Sequence, residues 1–337
     1  KLITEGNKRV VDARLSDAKF FWEKDRSKNL IKQIANLKTI TFYEKIGSIY
    51  DKTQRIRNLA GLLSDELNIN KEKVQVAASI SKSDLCSDLV GEYPELQGVM
   101  GKYFALAQGF EEDVANSISE HYLPTGLTSA LPKKPFSYSI SIVDKLDSLV
   151  GFFLINEKPT SSKDPFALRR SAIGLLRIII ENKLSIKLRD LISYSIRLYE
   201  DQGVEIKNKE TEIEVLDFLK ERMRNILKLK NIKIDIIEAS ITSHVGDNFL
   251  DLYKKNVLMN KYINKDVGIN VISSYKRASN ITDKAEKRIT GRPDAVLFRT
   301  EEEKVLFEKI NEIRKAFTVK ESNKDYENLL IRLSETK

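Results

Sequence analysis

The stretch LIKQIANLKTITFYEKIGSIYDKTQRIRNLAGLLSDEL, residues Leu30–Leu67, carries the pattern that decides the fold class. Its apolar residues recur every three or four positions, the spacing that places them on one face of an α-helix. The same spacing recurs in Arg9–Trp22, Val74–Val90, Asp113–Tyr122 and Ser137–Phe153. Alternation typical of strands is scarce. The sequence therefore predicts an all-α protein.

Two loops rich in proline, glycine and serine interrupt this pattern, at Tyr122–Pro135 and Asn156–Asp164. A strongly apolar stretch, Phe166–Glu181, follows the second loop and is predicted to be a core helix. Asp164 suits the N-cap of that helix because its carboxylate can accept hydrogen bonds from unpaired amides. Pro165 suits the first helical position, where an amide would have no partner.

The composition excludes several classes of protein. The chain has 337 residues, and its 57 Lys and Arg against 49 Asp and Glu give a net charge of +8. This length predicts roughly two or three domains. One cysteine excludes an internal disulfide and a cysteine-rich zinc module, and two histidines make a multi-histidine metal site hard to build. No apolar run approaches the ~18 residues of a membrane span, so we expect a cytoplasmic protein without a membrane partner.

Positive charge concentrates between Glu221 and Thr300, where 16 Lys or Arg stand against 9 Asp or Glu. Such an excess is typical of proteins that neutralise the phosphates of a nucleic acid. The same charges could instead form solvated helix faces that have no partner. Charge alone leaves both interpretations open.

Arg169 and Arg170 fall early in the predicted apolar helix, where positive charge opposes the helix dipole. Each should therefore have an anionic partner. We expect that partner to be an intramolecular acid such as Asp144 or Asp147, and RNA phosphate is the alternative.

The sequence offers little for catalysis. Neither GxxxxGK[ST] nor GxGxxG is present, so the phosphate-binding loops of those types are absent. Cys86 has no histidine near it in sequence and is predicted to be a buried structural residue. His121 ends a predicted helix, where a donor or cation suits the last carbonyl groups, and His244 is assigned no role. No catalytic residue is predicted.

The helical frame is compatible with the His-Asp (HD) phosphohydrolases, in which histidines and aspartates from several helices hold one or two metals. Ser83 and Asp84 stand where the His-Asp pair would be, and Asp144 resembles the closing aspartate. Tyr43 stands where a further histidine is expected. Carboxylates without imidazoles make a poor transition-metal site. We therefore predict a degenerate HD-like domain without metal, and a metal-dependent HD-type nucleotide phosphohydrolase is the alternative.

Six segments, taken together and in order, resemble the beta subunits of bacterial two-subunit glycyl-tRNA synthetases. They are GNKRVVDARLSDAKFF at 6–21, FYEKIGSIYDK at 42–52, SKSDL at 81–85 with VGEYPELQGVMG at 90–101, DKLD at 144–147, KDPFALRR at 163–170 and YKRASNI at 275–281. The resemblance covers essentially the whole chain, and KDPFALRR is its most distinctive string. The chain resembles a fragment, without the family's N-terminal domains and its last C-terminal helices.

The resemblance implies an α2β2 glycine–tRNA ligase that joins glycine to tRNA(Gly). ATP and Mg²⁺ would be used through the alpha subunit, and this chain would carry no cofactor. The beta subunit would bind and position the tRNA. A helical scaffold that only holds the alpha subunit is a further interpretation, which the sequence does not separate from tRNA binding.

The resemblance also implies a domain order and a set of tRNA-binding candidates. Residues 1–34 would form a helix that connects to upstream domains, 35–160 the HD-like domain, 161–242 a helical body, and 243–337 a truncated, DALR-like helical anticodon-binding domain. The candidate tRNA contacts lie in the last of these: Tyr275, Lys276, Arg277, Asn280, Lys284, Lys287 and Arg288.

Overall fold

The computed structural model describes residues 2–126, 128–243, 246–283, 293–317 and 325–336, and over these residues it confirms the all-α class. The chain divides into two compact units, Lys1–Met223 and Arg224–Lys337. The predicted domain boundaries are finer than this division and stay predictions. Within the described ranges, no helix is both long enough and apolar enough to cross a membrane.

The first unit contains helices α1 to α11, of which α11 continues into the second unit. Their bounds are α1 Leu2–Asp25, α2 Leu30–Gln33, α3 Ile49–Leu67, α4 Lys71–Ile80, α5 Asp88–Glu92, α6 Val99–Ala107, α7 Glu112–Glu120, α8 Pro135–Leu154, α9 Leu168–Glu181, α10 Leu188–Asp201 and α11 Thr211–Leu229. A hairpin of β1 (Thr41–Tyr43) and β2 (Gly47–Ser48) precedes α3. Helix α8 lies at the centre, since it packs against α3, α7, α9 and α10.

The helical prediction for Leu30–Leu67 is correct only in its second half. After α2 the chain forms a 3-10 turn, Ile34–Thr39, and then the antiparallel hairpin that pairs Thr41 with Ser48. Ser48 starts α3 with a capping box: the Asp51 amide donates to the Ser48 hydroxyl, and the Ser48 amide donates to the Asp51 carboxylate. β-Branched and aromatic residues favour the extended chain before this cap, and apolar spacing alone does not register either signal.

The Val74–Val90 prediction is also too simple, because the chain there forms two helices separated by a turn. Helix α4 ends at Ile80, a 3-10 turn spans Ser83–Cys86, and α5 begins at Asp88. Cys86 therefore lies in the turn and is half-buried. Burial raises the pKa of its thiol, so a structural role fits better than a nucleophilic one.

Helix α9 begins three residues later than predicted. Leu168 is its first residue, and Ala167 adopts a left-handed conformation (φ 52°) just before it. The Asp164 carboxylate still caps the helix, because it accepts hydrogen bonds from the amides of Leu168 (2.8 Å) and Arg169 (3.0 Å). Pro165 and Phe166 stay outside the helix.

Gly151 lies at a close contact between α8 and α10. A Cβ at this position would lie 2.6 Å from Cζ of Tyr199 and closer still to its hydroxyl oxygen. Gly151→Ala should therefore lower the free energy of unfolding by about 1–3 kcal/mol through overpacking, although alanine is the better helix former. Gly6→Ala in α1 is the matched control, since nothing lies within 4 Å of its Cβ. Denaturant unfolding in which the two variants behaved alike would contradict the prediction.

The second unit is helical and has its own apolar core. Its helices are α12 Ile234–Ser243, α13 Phe249–Tyr262, α14 Asp266–Asp283, α15 Glu301–Phe317 and α16 Tyr326–Ser334. Phe249, Leu252 and Leu329 are buried in this core. Asn256 is buried with them and is satisfied by hydrogen bonds to Leu252 O and from the Ser240 hydroxyl, each 2.9 Å.

Candidate functional site

Two buried lysines converge on Asp144 of α8, where the sequence predicts a degenerate HD centre. Lys52 of α3 and Lys82, which follows α4, place their Nζ atoms 3.1 and 3.3 Å from the same carboxylate oxygen. Their side chains are only 4% and 5% exposed. Lys52 also donates a hydrogen bond to the Ser148 hydroxyl (2.7 Å). Burial acts to raise the pKa of Asp144, but the ammonium groups of Lys52 and Lys82 outweigh it and hold this pKa well below its usual range.

A third buried lysine, Lys145, lies beside Asp144 and is held by neutral acceptors. Its ammonium group donates to Leu123 O (2.8 Å), the Ser141 hydroxyl (2.8 Å) and His121 O (3.3 Å). Burial lowers the pKa of Lys145 to about 8, although Asp144 acts in the opposite direction. At neutral pH this lysine is therefore still mainly charged.

His121 completes the centre as a neutral group. It is fully buried, its Nδ1 lies 2.8 Å from Ile118 O and its Nε2 lies 3.1 Å from Nζ of Lys82. These partners assign the Nδ1–H tautomer, in which Nε2 accepts from the ammonium group. Burial, together with the Lys82 charge, lowers the pKa of His121 to about 3. The predicted hydrogen bond to the end of α7 is confirmed, with the imidazole as a neutral donor.

The other predicted HD positions, Tyr43, Ser83 and Asp84, make packing and hydrogen-bond contacts within the first unit. The Asp84 carboxylate accepts hydrogen bonds from the amides of Gly98 (2.6 Å) and Gly101 (3.2 Å), and burial raises the pKa of Asp84. Ser83 is buried beside it. Tyr43 lies in β1 and packs its ring against Phe152.

These residues do not fit a metal. Among the described residues, no three His, Cys, Asp or Glu side chains are arranged to hold a metal ion. The Asp144 carboxylate, the best ligand of the set, is already engaged by two ammonium groups. The metal-dependent phosphohydrolase alternative is therefore not favoured.

An ion-pair cluster that the sequence did not reveal lies beside this centre. The Arg55 guanidinium donates to the Asp147 carboxylate through Nε (2.7 Å) and Nη2 (3.1 Å), and both side chains are fully buried. Nη2 also donates to the Tyr199 hydroxyl (3.1 Å). Lys52 lies 3.3 Å from Asp147 and joins this cluster to Asp144.

One sequence signal could have located part of this centre. Ser141, Lys145 and Ser148 recur at i, i+4 and i+7 in α8, which places a polar stripe on one face of this helix. Lys52, Arg55 and Lys82 carry no comparable signal.

The predicted intramolecular ion pair is found for Arg169, but neither Arg169 nor Arg170 pairs with Asp144 or Asp147. Lysines and Arg55 occupy both carboxylates, as described above. Arg169 instead lies 3.9 Å from Asp164 and donates to the carbonyl oxygens of Thr160 and Lys163. Arg170 is exposed and makes no ion pair with any residue that the structure describes. The reason is helix packing, because Lys52 and Arg55 of α3 and Lys82 after α4 already contact these carboxylates of α8.

The predicted tRNA contacts that the structure describes lie on the exposed face of α14. Tyr275, Lys276, Arg277 and Asn280 are all exposed on α14, and Tyr275 retains 72% of its accessible surface. None of these four side chains forms a hydrogen bond or ion pair within the described part of the chain. Tyr275 is therefore not part of the apolar core. The remaining candidates, Lys284, Lys287 and Arg288, lie outside the described residues, as does His244.

Comparison with known proteins identifies the family of this chain. A family model described as "Glycyl-tRNA synthetase beta subunit" matches residues 1–242. The chain is 40% identical over 334 residues to the glycine–tRNA ligase beta subunit of Rickettsia canadensis. The aligned region covers 99% of this chain and 48% of that relative. The corresponding protein of Clostridioides difficile is 35% identical over 314 residues, or 93% of this chain and 45% of the relative. The chain spans about half the length of these relatives, and it belongs to the glycyl-tRNA synthetase beta-subunit family.

Proposed function

We propose that this protein binds and positions tRNA(Gly) for glycylation by a two-subunit, α2β2 glycine–tRNA ligase of the cytoplasm. The alpha subunit would be its protein partner and would use ATP and Mg²⁺. The observation that carries the tRNA-binding role is the exposed α14, on which Lys276 and Arg277 have no intramolecular anionic partner among the described residues.

The geometry of α14 suits contact with RNA. Lys276 and Arg277 lie four and three positions before Asn280, so the three side chains share one helical face. Two cations on such a face can bind phosphates, and the neighbouring Tyr275 offers an exposed ring for stacking on an unpaired base. The Asn280 amide can bond to a base edge.

The double variant Lys276→Ala/Arg277→Ala should weaken tRNA binding roughly tenfold at moderate salt and flatten its salt dependence. Each lost phosphate contact should lower the log–log slope by about 0.7–0.9. The loss should be similar for glycine and non-glycine tRNAs, because phosphate contacts carry no sequence information. Filter binding across a salt series measures both quantities.

Lys71→Ala/Lys73→Ala is the control because it removes the same charge from α4, where both lysines already pair with acids. This control should retain the wild-type affinity and slope. If the α14 variant also retained them, the tRNA-contact role of α14 would be refuted and the scaffold interpretation favoured.

A further inference from the structure

A cavity of about 260 Å³ opens in the first unit beside Asp144 and the buried lysines around it. Its wall includes Asp144, Lys145 and Ser148 of α8, Arg170 and Ser171 of α9, and Thr125 of the preceding loop. Arg170 and Thr125 are exposed and form its mouth. The volume is below the roughly 300–1,000 Å³ typical of drug-sized ligands, so the cavity suits a small group.

The charges around this cavity do not cancel. Its lining carries two cations, Lys145 and Arg170, against one carboxylate, that of Asp144. This carboxylate is already paired with Lys52 and Lys82. Buried charge is costly unless it is paired, and an anion in the cavity would supply the missing partner.

Donors at the mouth are free to receive such an anion. The Arg170 guanidinium makes no ion pair among the described residues, and its backbone amide, in the first turn of α9, donates to none of them. The Thr125 hydroxyl is likewise unused within the described chain. A guanidinium with an adjacent amide and hydroxyl is the donor set that phosphate oxygens accept.

We propose that this cavity binds a phosphate group, either inorganic phosphate or the phosphate monoester of a nucleotide or an RNA end. Arg170 and Thr125 bond to it directly, while Lys145, Lys52 and Lys82 hold it by charge. The inference is independent of tRNA binding through α14, because all of these residues belong to the first unit.

The test is a titration of the complete chain with inorganic phosphate at constant ionic strength, with chloride as the replaced anion. Saturable binding is expected by calorimetry, together with a rise in the unfolding temperature. Arg170→Gln should weaken binding roughly tenfold by removing the charge-assisted contact. Arg57→Gln is the matched control, since Arg57 is exposed on α3 and lies outside the cavity, and it should change the affinity less than twofold.

Thr125→Asp is a second variant for the same titration, at an exposed position. Its carboxylate should repel phosphate and weaken binding without disturbing the fold.

Competition by AMP and not by adenosine would assign the phosphate to a nucleotide. Competition by 5′-phosphorylated RNA and not by its 5′-hydroxyl form would assign it to an RNA end. Absence of saturable phosphate binding, or equal affinity in wild type and Arg170→Gln, would overturn the proposal.

Discussion

Asp147→Asn is expected to lower the free energy of unfolding by about 3–5 kcal/mol, a large fraction of the stability of an ordinary domain. The substitution keeps the shape of the side chain but removes the charge that pairs with Arg55 at 2.7 Å. Arg55 is fully buried and cannot turn to water. An uncompensated guanidinium would then remain beside the Tyr199 hydroxyl, with only neutral partners.

The control for Asp147→Asn is Glu92→Gln, which breaks the ion pair between Glu92 and Arg14 on the surface. Exposed pairs contribute little, so this variant should unfold close to wild type. A double replacement, Arg55→Met with Asp147→Leu, should recover part of the loss because it removes both buried charges. Urea denaturation measures all three, and equal midpoints for Asp147→Asn and wild type would show that Arg55 does not need its carboxylate.

Acidification is expected to destabilise the protein through His121. The folded protein holds the pKa of this imidazole at about 3, against an ordinary value of 6.5. Between these pH values the unfolded chain binds a proton that the folded chain does not, so stability falls as the pH drops below 6.5. At pH 4.5 this one group should have removed about 3 kcal/mol.

His121→Asn isolates this contribution. The asparagine amide can replace Nδ1 as the donor to Ile118 O, but it has no comparable pKa. The variant should be less stable at pH 7, because Lys82 loses its acceptor, and its stability should change less between pH 7 and pH 4.5. Denaturant unfolding at several pH values gives the two slopes. Parallel slopes would assign the acid sensitivity to the carboxylates instead.

Helical class and family membership could be predicted from sequence because both depend on residues that are close together in the chain. Apolar spacing correctly located α7 and α8, and the segments from Gly6–Phe21 to Tyr275–Ile281 correctly indicated the family that the comparisons confirm. Helix boundaries were less accurate. The hairpin before α3 and the late start of α9 depend on a capping box and on a left-handed residue, Ala167, which periodicity does not register.

The candidate centre was predicted only in its carboxylates. Asp84 and Asp144 could be identified because they stand in recognisable segments, whereas the cations that surround Asp144 could not. Lys52 is separated from Asp144 by 92 residues, and nothing local distinguishes a lysine that will be buried from one that will be solvated. For the same reason the sequence assigned Arg169 and Arg170 to carboxylates that other cations occupy.

The sequence by itself determined that the chain is helical, that it lacks GxxxxGK[ST] and GxGxxG phosphate-binding loops, and that positive charge concentrates between Glu221 and Thr300. Only the tertiary structure decided which charged side chains form ion pairs with one another. Helix formation depends on residues three or four positions apart, so local spacing encodes it. The pairing of Lys52, Lys82 and Arg55 with Asp144 and Asp147 depends on how α3, α4 and α8 pack, and that packing also forms the cavity at Arg170.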